Sequence, residues 1–279
     1  MRPSFRTHND SIFEYLDSYI IATADQLGSA DLNPFGVPVR EHIDPTLTRH
    51  ETFFTLLQRL DALTFGTVGM PMEKWVFYNC AELPGFIYGF SIDASELLPD
   101  EATLLQVPPD YRGPVPLSMY IAIPMREPGA WFGHNLASLN RQLPTRRLSH
   151  LGTLTKAMAL RAMRAEKNVG VTQWSSMALH IHTKFGPLAL ETAWTPVHSF
   201  PASLTYAFPV TETSLRFALG DPDATVSRPT PSTWLDATDT DAMQSVQRAL
   251  ESGAEISITG PPKEPSEGQP SRLVPLAGF

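Results

Sequence analysis

The chain has 279 residues, 42% of them hydrophobic and 18% charged, and carries a formal net charge of −8 at pH 7. This composition excludes a disordered chain, and the length supports one large domain or two small ones around a substantial core. The acidic balance argues against nucleic acid as a partner, because phosphate binding draws on an excess of Lys and Arg. The single cysteine, Cys80, excludes an internal disulfide and any thiolate-based zinc site.

No run of about eighteen apolar residues occurs, so a membrane partner is not expected. The start Met1-Arg2-Pro3-Ser4-Phe5 lacks the basic, apolar, small-residue series of a secretory signal, and the expectation is a soluble, cytoplasmic protein. Cys80 reads as a buried small apolar residue.

Asp10 is placed to cap a helix with Ile12, Phe13, Leu16, Ile20 and Ile21 at three- and four-residue spacing, ended by Gly28. Residues 29–47 read as a loop. Thr48-Arg49-His50-Glu51 has capping-box spacing and opens a helix carrying Phe53, Leu56, Leu57, Leu60 and Leu63. Trp75–Tyr78 and Phe86–Phe90 are aromatic-rich strand candidates around the turn 82–85. Residues 93–116 form an excursion with a short helix near Ala102–Leu105. Strand candidates Leu117–Met125 and Ala130–Leu139 flank the turn Arg126-Glu127-Pro128-Gly129.

The longest helix is expected over Ser149–Lys167, closed by Asn168-Val169-Gly170. Val171–Trp174, Leu188–Trp194, Leu204–Val210 and Leu215–Leu219 read as strands, while Ser175–Phe185 fits either a strand or a short helix ending at Gly186. From Asp221 onward polar residues dominate, with a helix at Asp241–Glu251. The expected organisation is a core domain over 1–220, a C-terminal appendage over 221–260 and a flexible tail over 261–279. The fold class is mixed α/β: a central, largely antiparallel sheet with flanking helices.

Two clusters carry candidate chemistry. Arg141, Arg146, Arg147, Lys156, Arg161, Arg164 and Lys167 make one cationic segment in an acidic protein. At the helix start within it, the backbone N–H groups of Leu151, Gly152, Thr153 and Leu154 lack intrahelical partners and suit an anion such as a pyrophosphate, with Arg146 and Arg147 adding charge. The alternative is that Ser149 caps the helix and the cations cover its solvated face. The second cluster comprises His134, His180, His182 and His198. On a strand His180 and His182 would share a face, as a two-imidazole metal site completed by a group such as Glu191 requires; on a helix they diverge. No nucleophile elbow, Walker loop or dinucleotide fingerprint occurs.

Asn135-Leu136-Ala137-Ser138-Leu139 resembles the fourth strand of the GCN5-related N-acetyltransferase (GNAT) family. Arg147-Leu148-Ser149-His150-Leu151-Gly152 resembles that family's Arg/Gln-x-x-Gly-x-Gly/Ala pyrophosphate loop. Thr153–Met158 then stands for the third helix, Val169–Trp174 for the fifth strand and Ala178–Gly186 for the short fourth helix. The resemblance covers roughly residues 135–195, and His150 occupies the position of the first loop glycine.

It implies acetyl-CoA or another acyl-CoA as donor, its pyrophosphate on Arg146, Arg147 and Leu151–Leu154. It also implies direct attack by a small-molecule amine or similar acceptor. His134 is the first choice for the base and His182 the second. The family's tyrosine acid has no counterpart between Val169 and Thr205. Rival readings are a metal-dependent enzyme using His180 and His182, and a non-catalytic binding or assembly protein. A second copy of the chain is a further candidate partner.

Overall fold

The computed structural model describes residues 3–66, 69–82, 85–197, 199–266 and 271–279. Its contacts divide the chain into two compact units, Met1–Ala165 with Leu219–Asp221, and Glu166–Ala218 with Pro222–Phe279. Each is mixed α/β with a mainly antiparallel sheet and flanking helices. Among the described residues no helix is long and apolar enough to cross a membrane.

In the first unit the elements run α1 (Ile12–Tyr15), β1 (Asp17–Ile21), α2 (Ala24–Leu27), β2 (Glu41–Ile43), α3 (Glu51–Phe65) and α4 (Lys74–Glu82). There follow β3 (Phe86–Asp93), α5 (Pro99–Leu105), β4 (Pro114–Pro124), β5 (Ala130–Ser138) and α6 (Leu151–Ala162). The strand order is β2-β1-β3-β4-β5, parallel between β1 and β2 and antiparallel across the other pairs.

The helix expected over residues 10–28 is instead two short helices around β1. Tyr19, Ile20 and Ile21 are buried and pair with Gly89, Tyr88 and Ile87, so an aromatic and β-branched run that is covered on both faces overrides its helical spacing. Trp75–Tyr78, expected as a strand, belongs to α4, where Phe77, Cys80 and Ala81 form the buried i, i+3, i+4 set. α3 buries Phe53, Leu56, Leu57 and Leu60 as its spacing predicts. Its capping box does not form; Thr48–His50 makes a 3₁₀ turn without a side-chain cap.

Glycines let tyrosines cross neighbouring strands. A Cβ on Gly89 would run into the Ser118 carbonyl and the Tyr19 ring, and the Tyr19 hydroxyl donates to that same carbonyl at 2.8 Å. A Cβ on Gly133 would run into the Tyr120 hydroxyl. The long helix stops at Ala162 rather than Lys167, because Arg164 turns left-handed at φ 53° and β6 begins at Lys167.

The second unit contains β6 (Lys167–Gln173), α7 (Ala178–His182), β7 (Leu188–Thr192), β8 (Ser203–Pro209) and α8 (Glu212–Leu219). It continues with β9 (Thr233–Asp236), α9 (Thr240–Glu251), β10 (Ser257–Ile258) and β11 (Leu273–Ala277). The order is β6-β8-β7-β10-β11-β9, antiparallel throughout. Leu215–Leu219, expected as a strand, is part of α8. Its start is fixed by reciprocal bonds, Thr211 N–H to the Ser214 hydroxyl and Ser214 N–H to the Thr211 hydroxyl, both at 3.0 Å. Within the expected flexible tail, Leu273–Ala277 pairs with both β9 and β10 and buries Val274 and Leu276, so that stretch is ordered by its own apolar residues.

Candidate functional site

β5 carries the first site feature. Its register against β4 runs Ile121↔Asn135 and then Ala122↔Gly133, so His134 is the extra residue of a β-bulge. A bulge re-aims the side chain it holds, and His134 is exposed. Loss of hydration around the ring nevertheless pushes the imidazole pKa below its ordinary value, favouring the neutral form that can accept a proton.

The next residue is anchored by α3. Asn135 Nδ2 donates to Asp61 Oδ1 at 2.9 Å, and Asp61 Oδ2 accepts from the Met72 backbone N–H at 2.6 Å. Asp61 is fully buried in α3. Desolvation is the largest influence on its carboxyl and raises the pKa, outweighing the two hydrogen bonds that lower it.

The loop from β5 to α6 is clamped from the N-terminal segment. Asn9 Nδ2 donates to the carbonyls of Arg147 at 2.8 Å and Ser149 at 2.9 Å, and the Tyr15 hydroxyl donates to the Arg147 carbonyl at 2.9 Å. His150 is left-handed, φ 65° and ψ 5°, and its ring stacks on His8 with centroids 4.4 Å apart. His150 therefore adopts a backbone conformation that glycine favours.

The expected anion ligands divide. Arg147 is exposed, with its backbone held and its side chain at the surface. Arg146 is committed elsewhere: Nε and Nη2 bond the two Glu101 carboxylate oxygens at 2.7 and 2.5 Å, and Nη2 also bonds the Glu96 carbonyl at 2.8 Å. Leu151 N–H bonds the Leu148 carbonyl at 3.1 Å and Leu154 N–H the His150 carbonyl at 2.9 Å, so neither amide is spare. Gly152 N–H has no acceptor among the described residues, and Gly152 and Thr153 are both buried. The rest of the cationic segment disperses: Arg161 faces Asp31 at 3.6 Å, and Lys156 is wholly buried over the Tyr120 ring.

In the second unit His180 and His182 lie in α7, where two residues of separation turns them to different sides. His180 Nε2 meets Glu264 at 2.6 Å, and His182 is buried with its ring 5.0 Å from that of Tyr206. The helix removes the shared face that a two-imidazole metal site needs, and no group of three or more metal-ligating side chains occurs among the described residues. His198 lies outside the described residues. His134 and His182 belong to different units, so only His134 shares a unit with the loop.

Asp61, Asn9 and Tyr15 had no place in the sequence-based site. Asp61 alone left a signal, an acid one helical turn after Leu57 on the apolar face of α3. The clamps on Arg147 join residues 138 and 132 positions apart, which local patterning does not reach.

In chain order β1 is followed by α2, β2, α3, α4, β3, α5, β4, β5 and α6, and then by β6, α7, β7 and β8. No family model matches the sequence, and no curated protein matches it. Among solved structures, the NatC complex bound to Gag peptide and CoA aligns with TM-score 0.40 and 13% identity over 60% of this chain and 96% of that one. Aminoglycoside 6′-acetyltransferase type Ii aligns with TM-score 0.40 and 10% identity over 58% and 93%. A protein from Desulfovibrio desulfuricans assigned to the GNAT acetyltransferases gives 0.38 and 13% over 59% and 95%. At these scores any functional reading rests on the chain's own residues.

Proposed function

We propose that the protein is an acyl-CoA-dependent acyltransferase that takes acetyl-CoA or another acyl-CoA as donor and a small-molecule amine or similar acceptor. The observation that carries the reading is the clamped loop between the bulged strand β5 and α6, with His150 held at positive φ where the resembled motif has glycine. The Gly152 amide and the dipole of α6 supply positive potential for a pyrophosphate, and exposed Arg147 supplies a full charge. Thr153 belongs to the same first turn; the Leu151 and Leu154 side chains seat that turn in the core rather than lending their amides.

His134 acts as base. It takes the proton as the acceptor nitrogen bonds to the thioester carbonyl carbon, the carbon–sulfur bond breaks, and the departing thiolate takes a proton from solvent water. His182, buried against Tyr206, takes no part in this scheme.

The test is thermal unfolding of the full chain with and without millimolar CoA and acetyl-CoA, for the parent and for Arg147→Ala. Ligand at about a hundred times its dissociation constant stabilises the native state by about 2.7 kcal/mol. For a chain of this size that corresponds to a rise of roughly 5–10 °C. A rise in the parent that shrinks in Arg147→Ala supports the reading. Unchanged melting with both ligands defeats it.

A further inference from the structure

We infer that Asp61 is a positioning residue for the β5 bulge: through Asn135 its buried carboxylate holds the strand in the register that projects His134. The inference deepens the acyltransferase reading, since it rests on His134 being the base. Three features support it. A bulge leaves one residue without a cross-strand partner, so its geometry needs support from outside the ladder, and the residue immediately after His134 is the one that receives it.

The support is also costly in itself. A fully buried carboxylate with a raised pKa opposes folding, and an apolar residue at this helix position would pack without that penalty. Asp61 moreover joins two segments at once, since its other oxygen takes the Met72 N–H, so the strand is tied to the end of the α3–α4 connection as well as to α3.

Asp61→Asn separates tether from charge. Asn Oδ1 can still accept from Met72, and Asn135 can turn its amide so that its oxygen accepts from the new Nδ2; both links survive and only the charge is lost. Asp61→Ala removes both links. Asn135→Ala cuts the strand link alone, and serves if Asp61→Ala fails to fold.

The experiment is an NMR pH titration of the His134 ring in the full-length parent and in these variants. In the parent His134 titrates below about 6.5, the free-imidazole value. Asp61→Asn is expected to leave that midpoint within about 0.2 pH unit. Asp61→Ala or Asn135→Ala is expected to move it upward by about half a unit as the bulge relaxes and the ring hydrates, with amide shifts spreading from 133 to 136. An unmoved midpoint in both tether-cutting variants overturns the inference. So does an equal change in Asp61→Asn, because the effect would then be charge rather than position. Neither result depends on CoA binding, so this test and that of the donor site fail separately.

Discussion

Arg146 and Arg147 are neighbours in sequence with opposite expected roles, and exchanging them experimentally separates scaffold from site. The Arg146 and Glu101 side chains are 15% and 6% exposed, and the arginine makes two bonds to the carboxylate and one to the Glu96 carbonyl. Arg146→Met leaves the Glu101 carboxylate with the Leu98 N–H alone. Removing one partner from a buried pair costs about 3–5 kcal/mol, and the residual exposure here places the loss near the lower end, at about 3 kcal/mol. Glu101→Gln/Arg146→Met should recover part of it, because no buried charge is left unpaired.

The pH dependence follows from Glu101. Desolvation is the largest single influence and pushes its carboxyl up, but the Arg146 hydrogen bonds, the Leu98 N–H and the Arg146 charge together hold the pKa below its ordinary value. A depressed folded-state pKa gives stability that is fully present above the unfolded value, near 4.3, and is lost as pH falls through the folded one. Urea unfolding at pH 7 and at pH 3 measures both effects. Arg146→Met should be weaker than the parent at pH 7, with the gap narrowing at pH 3, yet should keep any CoA-induced rise in melting temperature. Arg147→Ala should do the reverse. A loss below about 1 kcal/mol in Arg146→Met, the range of an exposed pair, would refute the assignment of Arg146 to the scaffold.

Two further outcomes test the local geometry. His150→Gly relieves about 1 kcal/mol of left-handed backbone strain but loses the stack on His8, so its urea midpoint should stay close to the parent, whereas His150→Val, β-branched at the same φ, should lose about 1–3 kcal/mol. Gly133→Ala forces the Tyr120 hydroxyl to move and should cost about 1–3 kcal/mol by overpacking, with Tyr120→Phe in the same chain restoring much of it; additive losses in the double variant would count against the contact.

The elements that were legible in the sequence are those whose local pattern and tertiary surroundings agree. α3 shows its buried face at three- and four-residue spacing, and β4 and β5 are β-rich runs about a Pro-Gly turn. β1 is ambiguous in the sequence because Leu16, Ile20 and Ile21 satisfy helical spacing while Tyr19, Ile20 and Ile21 are also a strand run. Burial on both faces decides between them, and burial depends on β3, some seventy residues away. α4 and α8 failed in the opposite sense: aromatic and aliphatic residues with high strand propensity occupy helices because the buried set falls at i, i+3 and i+4. At Leu273–Ala277 five prolines in the surrounding stretch hide a short apolar run that pairs with β9 and β10.

The site was legible only as a list of residue types. Sequence placed two arginines, four amides and a histidine near one helix start, but their availability depends on groups that pattern does not connect to them. Glu101 withdraws Arg146, and the turn before α6 uses the Leu151 and Leu154 amides. Asn9 and Tyr15 fix the carbonyls of Arg147 and Ser149. The same loop shows how a residue other than glycine is kept at positive φ. Glycine reaches positive φ at no steric cost, whereas His150 has to be held there, and the stack on His8 together with the bonds to Arg147 and Ser149 supplies the holding. A loop built from glycine can flex around a phosphate. Here the N-terminal segment fixes the loop in advance, so binding at the α6 N-terminus would draw on preorganisation by His8, Asn9 and Tyr15 rather than on backbone freedom.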